Sequence, residues 1–152
     1  MSSVERSKTI AASPEATWAV LTDFGELARW VPMIQHSCLL SEQTDGVGTV
    51  RRVQIARQTL VERVVTWDAP NELAYSIEGL PPIVGTARNT WRLRDTAGGC
   101  AVTLTTEIDT GLNPVKLVIA KKVLERMTMA SEFMLAGLAD AATATAPTKG
   151  VT

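Results

Sequence analysis

The chain has 152 residues, of which 45% are hydrophobic and 20% are charged, and its formal net charge is −1. These proportions are typical of an ordinary globular protein and exclude a disordered or fibrous one. Acidic and basic residues are interspersed, and Cys38 and Cys100 stand alone, without a CxxC motif or clustered histidines. We therefore expect no nucleic-acid partner, no metal site and no disulfide framework.

The first quarter of the chain predicts one strand followed by two short helices. Over residues 3–10 two sets of side chains alternate, and this alternation indicates the strand. One set is Val4, Arg6, Lys8 and Ile10, and the other is Ser3, Glu5, Ser7 and Thr9. Ser13, Pro14 and Glu15 are typical of a helix start. The serine can cap free N–H groups, proline suits the first helical position, and the glutamate lies at the positive end of the helix dipole. Residues 26–31 predict a second short helix that ends at the following proline.

From Ile34 onward the hydrophobic period changes to two, which predicts six further strands. We place them at residues 34–41, 49–55, 58–67, 72–78, 84–94 and 101–109. Residues 79–82 are a loop, because the two prolines there cannot donate hydrogen bonds to a ladder. Short turns between the strands and their clean alternation predict an antiparallel sheet with one face in contact with solvent.

The longest predicted element is a helix over residues 114–142, roughly 40 Å long at 1.5 Å per residue. On a helical wheel one broad arc is apolar and consists of Leu117, Ile119, Ala120, Val123, Leu124, Met127, Ala130, Phe133, Met134, Leu135 and Leu138. So wide an apolar face must be covered. We therefore predict an α+β fold in which a curved, seven-stranded antiparallel sheet wraps around this helix, with the two short helices between strands 1 and 2.

The sequence predicts one domain and a short tail. No repeat or linker divides residues 1–142, whereas residues 143–152 have too little apolar content to pack and are expected to be disordered. Residues 1–7 lack the apolar core of a signal peptide, and no run reaches the roughly 18 apolar residues of a spanning helix. We expect a soluble, cytoplasmic protein without membrane insertion, either a monomer or a homodimer.

Several short motifs follow one another in an order known from one superfamily. They are residues 13–18 with Leu21 and Asp23, residues 30–32, residues 46–51, residues 91–93 and the apolar last helix. With these motifs the chain resembles the START-like helix-grip superfamily, also called SRPBCC or Bet v 1-like, and within it the bacterial polyketide cyclase/dehydratase-type members. The resemblance implies a hydrophobic cavity between the sheet and the last helix, used for lipids, hormones, polyketides or other apolar ligands. This fold hosts carriers, receptors and enzymes alike.

Strand alternation predicts which residues line this cavity. If the apolar members of each strand face the helix, five polar residues are directed inward with them, namely His36, Arg51, Glu62, Tyr75 and Asn89. The apolar candidates for ligand binding are Val53, Ile55, Ile77, Trp91, Leu104, Met127 and Met134.

The resemblance supports part of the polar set. Plant hormone receptors of the superfamily have a Lys-Ser-Cys on the second strand, where the lysine meets the ligand's carboxylate, and this chain has His36, Ser37 and Cys38 there. Those receptors also have an inward Glu-Arg pair, similar to Glu62 and Arg63, and an inward aromatic residue where Tyr75 stands. Their gate-loop motifs are missing here, so the resemblance does not imply a hormone switch.

His36, Glu62 and Tyr75 are the candidate catalytic residues. A neutral imidazole can accept or donate a proton near pH 7, which favours His36 as an acid–base group. Each polar candidate also has a structural interpretation. His36 could be a half-exposed strand residue, Arg51 and Glu62 could form an internal ion pair, and Tyr75 could be a packing residue.

Two functions follow from these residues. The favoured one is a carrier or binding protein for a small hydrophobic, lipid- or polyketide-like molecule, whose polar end meets the polar candidates. The alternative is a polyketide cyclase, aromatase or dehydratase that uses the same residues for proton transfer. A third hypothesis is a protein-interaction role of the outer arginine face or the tail. Motifs for a phosphate loop or dinucleotide site are lacking, so we expect no cofactor.

Overall fold

Seven antiparallel strands form one sheet in the computed structural model, which describes residues 2–82, 84–111 and 114–145. In chain order the strands are β1 (Ser2–Ile10), β2 (His36–Leu39), β3 (Val50–Ile55), β4 (Gln58–Asp68), β5 (Glu72–Glu78), β6 (Thr86–Thr96) and β7 (Gly99–Asp109). Their order across the sheet is β1-β7-β6-β5-β4-β3-β2, so consecutive strands from β2 to β7 are hydrogen-bonded neighbours. The predicted meander is confirmed, with β1 joining the far edge beside β7.

Three α-helices are described: α1 (Pro14–Leu21), α2 (Leu27–Trp30) and α3 (Pro114–Thr145). The predicted start of α1 is confirmed, because the Ser13 hydroxyl accepts a hydrogen bond of 3.1 Å from the backbone N–H of Ala16. A single 3₁₀ turn precedes α2. Among the described helices, none combines the length and the apolar character needed to cross a membrane.

The core lies between the inner face of the sheet and α3. Alternation is as predicted along β7, where every second side chain from Cys100 to Ile108 is buried. Leu135 and Leu138 of α3 are buried on the other side of this core. The indole of Trp30 in α2 packs edge-on against Trp91 of β6, with 6.3 Å between ring centroids, and so joins the short helices to the sheet.

Strand β4 departs from its predicted alternation. The register shifts between Val64 and Thr66, so that Val64 pairs with Tyr75 whereas Trp67 pairs with Leu73. This irregularity brings Trp67 to the inner face, although strict alternation predicts it on the face opposite Val64. The indole of Trp67 packs edge-on against Trp18 of α1 with 5.5 Å between ring centroids, which joins β4 to the first helix.

Helix α3 is longer than predicted and less completely buried. It continues to Thr145, so residues 143–145 are helical and not part of a disordered tail. The remaining tail, residues 146–152, lies outside the described part of the chain. Leu117, Ile119 and Phe133 belong to the predicted buried arc but are 45%, 43% and 53% exposed.

A physical reason for this exposure is the line along which α3 approaches the rest of the protein. The small residues Ala120 and Ser131 are each 1% exposed and lie on this line of contact. On the helical wheel Ile119 and Phe133 lie together on one side of that line and away from its centre, and they therefore stay outside. Leu117 lies in the first turn of α3, where the described side chains are all exposed.

Candidate functional site

A cavity of about 620 Å³ lies between the concave face of the sheet and helix α3. Its apolar lining consists of Leu27, Met33, Ile34, Val53, Ile55, Ala56, Leu60, Ile77, Leu80, Pro81, Val123, Met127, Ala130 and Met134. The polar residues of the lining are Arg57, Gln58, Glu62, Asn89, Thr106, Arg126 and Ser131. The volume and the mostly apolar lining with a few polar groups are typical of a site for a small organic molecule.

The polar residues of the lining form two groups. Glu62, Asn89, Thr106 and Ser131 are buried and lie in the interior of the cavity. The other group is at the opening, which we call the mouth. The mouth consists of the exposed residues 56 and 57 in the turn between β3 and β4, Gln58 at the start of β4, Leu80 and Pro81 after β5, and Arg126 of α3.

The carboxylate of Glu62 is held by a buried arginine. Arg51 and Glu62 are direct partners in the register of β3 and β4, so both side chains lie on the inner face of the sheet. Arg51 Nε donates a hydrogen bond of 2.7 Å to Glu62 Oε1, and the two side chains are only 3% and 7% exposed. Within the described residues, Glu62 Oε2 has no hydrogen-bond partner, which leaves it available to the cavity.

Arg51 itself lies behind the cavity wall. Its Nη1 donates a hydrogen bond of 3.1 Å to the carbonyl of Phe24. Its guanidinium carbon lies 3.8 Å from the centroid of the Phe24 ring and 4.8 Å from that of Tyr75. The two aromatic faces and the carboxylate therefore stabilise the buried cation. The predicted structural interpretation of Arg51 and Glu62 as an internal ion pair is confirmed.

Tyr75 organises a second polar cluster behind the wall. Its hydroxyl oxygen accepts hydrogen bonds of 3.2 Å from Asn89 Nδ2 and of 3.2 Å from Trp91 Nε1. Asn89 Oδ1 in turn accepts a hydrogen bond of 2.7 Å from the hydroxyl of Thr106. Asn89 and Thr106 line the cavity, so Tyr75 fixes the orientation of an amide that a ligand can reach.

The environment of Tyr75 keeps its phenol protonated. Burial raises the pKa of Tyr75 above its ordinary value, and the negative charge of Glu62 raises it further. The charge of Arg51 and the hydrogen bonds from Trp91 and Asn89 lower this pKa, but they do not reverse the direction. The phenol is thus neutral at physiological pH and acts as a hydrogen-bonding group.

The structure places seven of the sequence-predicted site residues on the cavity wall. They are Val53, Ile55, Glu62, Ile77, Asn89, Met127 and Met134. Four others are fully buried and do not line the cavity, namely Arg51, Tyr75, Trp91 and Leu104. These four residues support the wall from behind. The prediction that they face inward is correct, but they do not line the cavity and so have no direct access to a ligand.

His36 is on the wrong side of the sheet for the predicted role. It is exposed and pairs with Gln54, whereas its neighbour Ser37 pairs with Val53 of the cavity wall. The expectation that His36 faces the cavity is therefore wrong. The error arises from Ile34. This residue is buried but precedes β2, so its burial does not indicate which side chains of that strand face the cavity.

Ser37 explains why β2 has this orientation. The backbone N–H of Ala28 donates a hydrogen bond of 2.9 Å to Ser37 Oγ, and the Ser37 hydroxyl donates one of 2.8 Å to the carbonyl of Gly25. These bonds attach the inner face of β2 to the short helical segment, which directs the next side chain, His36, to solvent. Of the three catalytic candidates, only Glu62 lines the cavity.

The sequence did not identify the two arginines of the mouth. Arg57 follows the end of β3 in a hairpin turn, where a charged residue is ordinary and no pattern singles it out. The sequence does contain an indication for Arg126, because on the helical wheel this residue lies between Ile119 and Phe133, inside the apolar arc. A charge within an apolar arc indicates a position at the border of a buried face.

Nothing in the described residues resembles a metal centre, since no three His, Cys, Asp or Glu side chains come together there. What the cavity offers chemically is an apolar volume and one carboxylate. An amide and two hydroxyls complete its interior.

Comparisons with known proteins agree with this geometry. The family model described as polyketide cyclase/dehydrase and lipid transport matches residues 1–143. The uncharacterised protein Rv1546 of Mycobacterium tuberculosis is 33% identical over 115 residues, which is 71% of this chain and 77% of that protein.

Solved structures share the fold at low sequence identity. TTHA0849 of Thermus thermophilus has a TM-score of 0.78 at 20% identity, covering 96% of this chain and 100% of that one. The Zhui aromatase/cyclase of a Streptomyces species has a TM-score of 0.76 at 23% identity, covering 98% of each chain. Ara h 8.0201 has a TM-score of 0.75 at 16% identity, covering 95% of this chain and 99% of that one.

Proposed function

Because the chain belongs to the polyketide cyclase/dehydrase and lipid transport family, we propose that it binds and carries a small hydrophobic molecule in the cavity beneath α3. The family lies in the START-like helix-grip superfamily, so the resemblance seen in the sequence is confirmed. The ligand class suggested by this membership is lipid- or polyketide-like.

The observation that supports the proposal is an apolar cavity of about 620 Å³ between the sheet and α3. Burial of apolar ligand surface contributes about 25 cal/mol per Å² before the costs of ordering the ligand are subtracted. A lining of Met127, Met134 and Met33 suits such a ligand, because methionine side chains adapt to guests of different shape.

The polar residues in the cavity interior can orient a bound ligand. Glu62 Oε2 can accept a hydrogen bond, the Asn89 amide lies on the same sheet wall, and Ser131 lines the cavity from α3. A hydroxyl or enol of the ligand would meet these groups. Their positions are restrained, because Arg51 holds Glu62 and Tyr75 holds Asn89.

The test compares two methionines of α3. Met127 lines the cavity, whereas Met129 on the same helix is 59% exposed. We expect Met127→Trp to fill the cavity and to weaken binding of an environment-sensitive apolar dye by at least about tenfold, and Met129→Trp to leave it unchanged. Native mass spectrometry of the wild-type protein purified from its host should also detect a co-purified apolar molecule.

Equal dye binding by both tryptophan variants would contradict the proposal, because the dye would then bind elsewhere on the protein. Circular dichroism and a denaturation curve for each variant establish that it is folded, so that a loss of binding reports on the cavity.

A polyketide cyclase or dehydratase is the second candidate, and the position of Glu62 favours it. This carboxylate is the ionisable side chain in the cavity interior, where it could move a proton of a bound polyketide chain. We expect Glu62→Gln to abolish turnover of an added poly-β-ketone while dye binding persists. Glu78→Gln, at the exposed end of β5, is the matched control. Unchanged turnover in Glu62→Gln would remove Glu62 from such a mechanism.

A further inference from the structure

We propose that the ligand is an amphiphile whose acidic headgroup, a carboxylate or a phosphate, binds to Arg57 and Arg126 at the mouth while its apolar part fills the cavity. This inference rests on the proposed binding function and defines the chemical class of its ligand.

Two structural elements bring positive charge to the same opening. Arg57 lies in the turn between β3 and β4, directly after Ile55 and Ala56, and all three residues line the cavity. Arg126 lies on α3, one residue before Met127 of the apolar wall. Both arginines are exposed, so their guanidinium groups are at the border between the apolar interior and solvent.

Neither arginine has a countercharge within the described residues. Arg57 and Arg126 form no ion pair and no side-chain hydrogen bond there. Other described arginines without an ion pair, namely Arg52, Arg63, Arg88 and Arg94, do not line the cavity. The residues three and four positions from Arg126 on α3 include no acidic residue, and one of them is Lys122. In a chain of net charge −1, the mouth is therefore a local concentration of uncompensated positive charge.

The interior of the cavity determines which end of an amphiphile goes in. An acidic headgroup at the inner end would be buried beside the Glu62 carboxylate, whose own cation, Arg51, lies behind the wall. Such a placement would cost free energy through desolvation and like-charge repulsion. At the mouth the same headgroup keeps contact with water and gains charge-assisted hydrogen bonds from two guanidinium groups.

The test uses four probes with the same dodecyl chain: dodecanoic acid, dodecyl phosphate, dodecanol and methyl dodecanoate. Each probe displaces an apolar dye from the full-length protein at neutral pH. We expect the two anionic probes to bind about tenfold more tightly than the two neutral ones. Added salt should reduce this preference, because the arginines are exposed.

The double variant Arg57→Gln/Arg126→Gln should bind the anionic probes about as weakly as wild-type protein binds dodecanol, with dodecanol affinity unchanged. Arg88→Gln, an exposed residue on the outer face of β6, is the control and should retain the full preference. A stronger response to dodecyl phosphate supports a phospholipid-like ligand, and a stronger response to dodecanoic acid supports a free carboxylic acid.

Two results would overturn the inference. One is equal affinity of wild-type protein for the anionic and neutral probes, and the other is an undiminished anionic preference in the double variant. In both cases the dye and dodecanol still bind, so the proposed function would stand. Failure of the dye and of all four probes to bind would instead remove the proposed function and this inference together.

Discussion

Replacement of Glu62 by glutamine should destabilise the protein strongly, because it leaves Arg51 as an uncompensated buried cation. The side chains are 3% and 7% exposed and their N–O distance is 2.7 Å. At an effective dielectric constant of about 20, two unit charges at this distance attract each other by about 6 kcal/mol, before the cost of desolvating both is subtracted.

The net effect is smaller than this attraction. Removing one partner of a buried pair typically costs about 3–5 kcal/mol. Arg51 keeps its hydrogen bond to the Phe24 carbonyl and its contacts with the Phe24 and Tyr75 rings, so we expect a loss of about 3 kcal/mol in the free energy of unfolding for Glu62→Gln.

Chemical denaturation of the ligand-free protein measures this loss, and an exposed pair of the same chemistry is the control. Arg92 Nε lies 2.8 Å from Glu72 Oε1, but these side chains are 55% and 34% exposed. Glu72→Gln should therefore cost about 1 kcal/mol or less. The double variant Arg51→Met/Glu62→Leu replaces the buried pair with apolar side chains and should be more stable than Glu62→Gln alone.

Equal destabilisation by Glu62→Gln and Glu72→Gln would contradict this prediction, because burial would then make no difference to the two pairs. A double variant Arg51→Met/Glu62→Leu that is no more stable than Glu62→Gln would also contradict it, since neither charge of the buried pair remains in that protein.

Three further predictions concern other parts of the molecule. Tyr75 is the single tyrosine of the chain, and its raised folded pKa means that the unfolded state releases the phenol proton first, from about pH 10 upward. The free energy of unfolding should therefore be unaffected by Tyr75 below that pH and fall above it. Tyrosinate absorbance should appear together with unfolding. A Tyr75→Phe variant whose free energy of unfolding falls equally at alkaline pH would contradict this prediction. Gly137→Ala should cost about 1–3 kcal/mol in a denaturation curve, because an added Cβ would collide with the backbone carbonyl of Trp30, whereas Gly98→Ala meets open space and should be nearly neutral. His36→Ala should change the free energy of unfolding by less than about 0.5 kcal/mol and leave dye binding unchanged, and a weakened dye affinity would show that this residue acts on the cavity after all.

The part of the site that could be predicted from the sequence depends on uninterrupted strands. Val53, Glu62, Ile77 and Asn89 line the cavity as the period-two pattern indicates, because alternate side chains of a strand lie on opposite faces. The register of β3 and β4 then places Arg51 opposite Glu62. The predicted faces are correct here because no bulge or break intervenes.

The errors occur where that regularity is interrupted. Trp67 changes face at the register shift in β4, and His36 faces solvent because β2 begins only after Ile34. Neither interruption has a glycine or proline at the position, so the sequence offers no local mark of it. In each case a tertiary contact decides the orientation, the Trp18 indole for Trp67 and the Ser37 hydrogen bonds for β2.

The order and type of the elements and the antiparallel sheet around a terminal helix follow from the sequence alone, because backbone periodicity and turn chemistry are local properties. The superfamily was indicated separately, by the resemblance that the ordered motifs carry. Which polar groups line the cavity depends on the three-dimensional packing of the chain. Tyr75 and Arg51 lie one layer behind the wall, while Arg57 and Arg126 line the mouth. These positions follow from the curvature of the sheet and the approach of α3, which are set by packing between residues far apart in the chain.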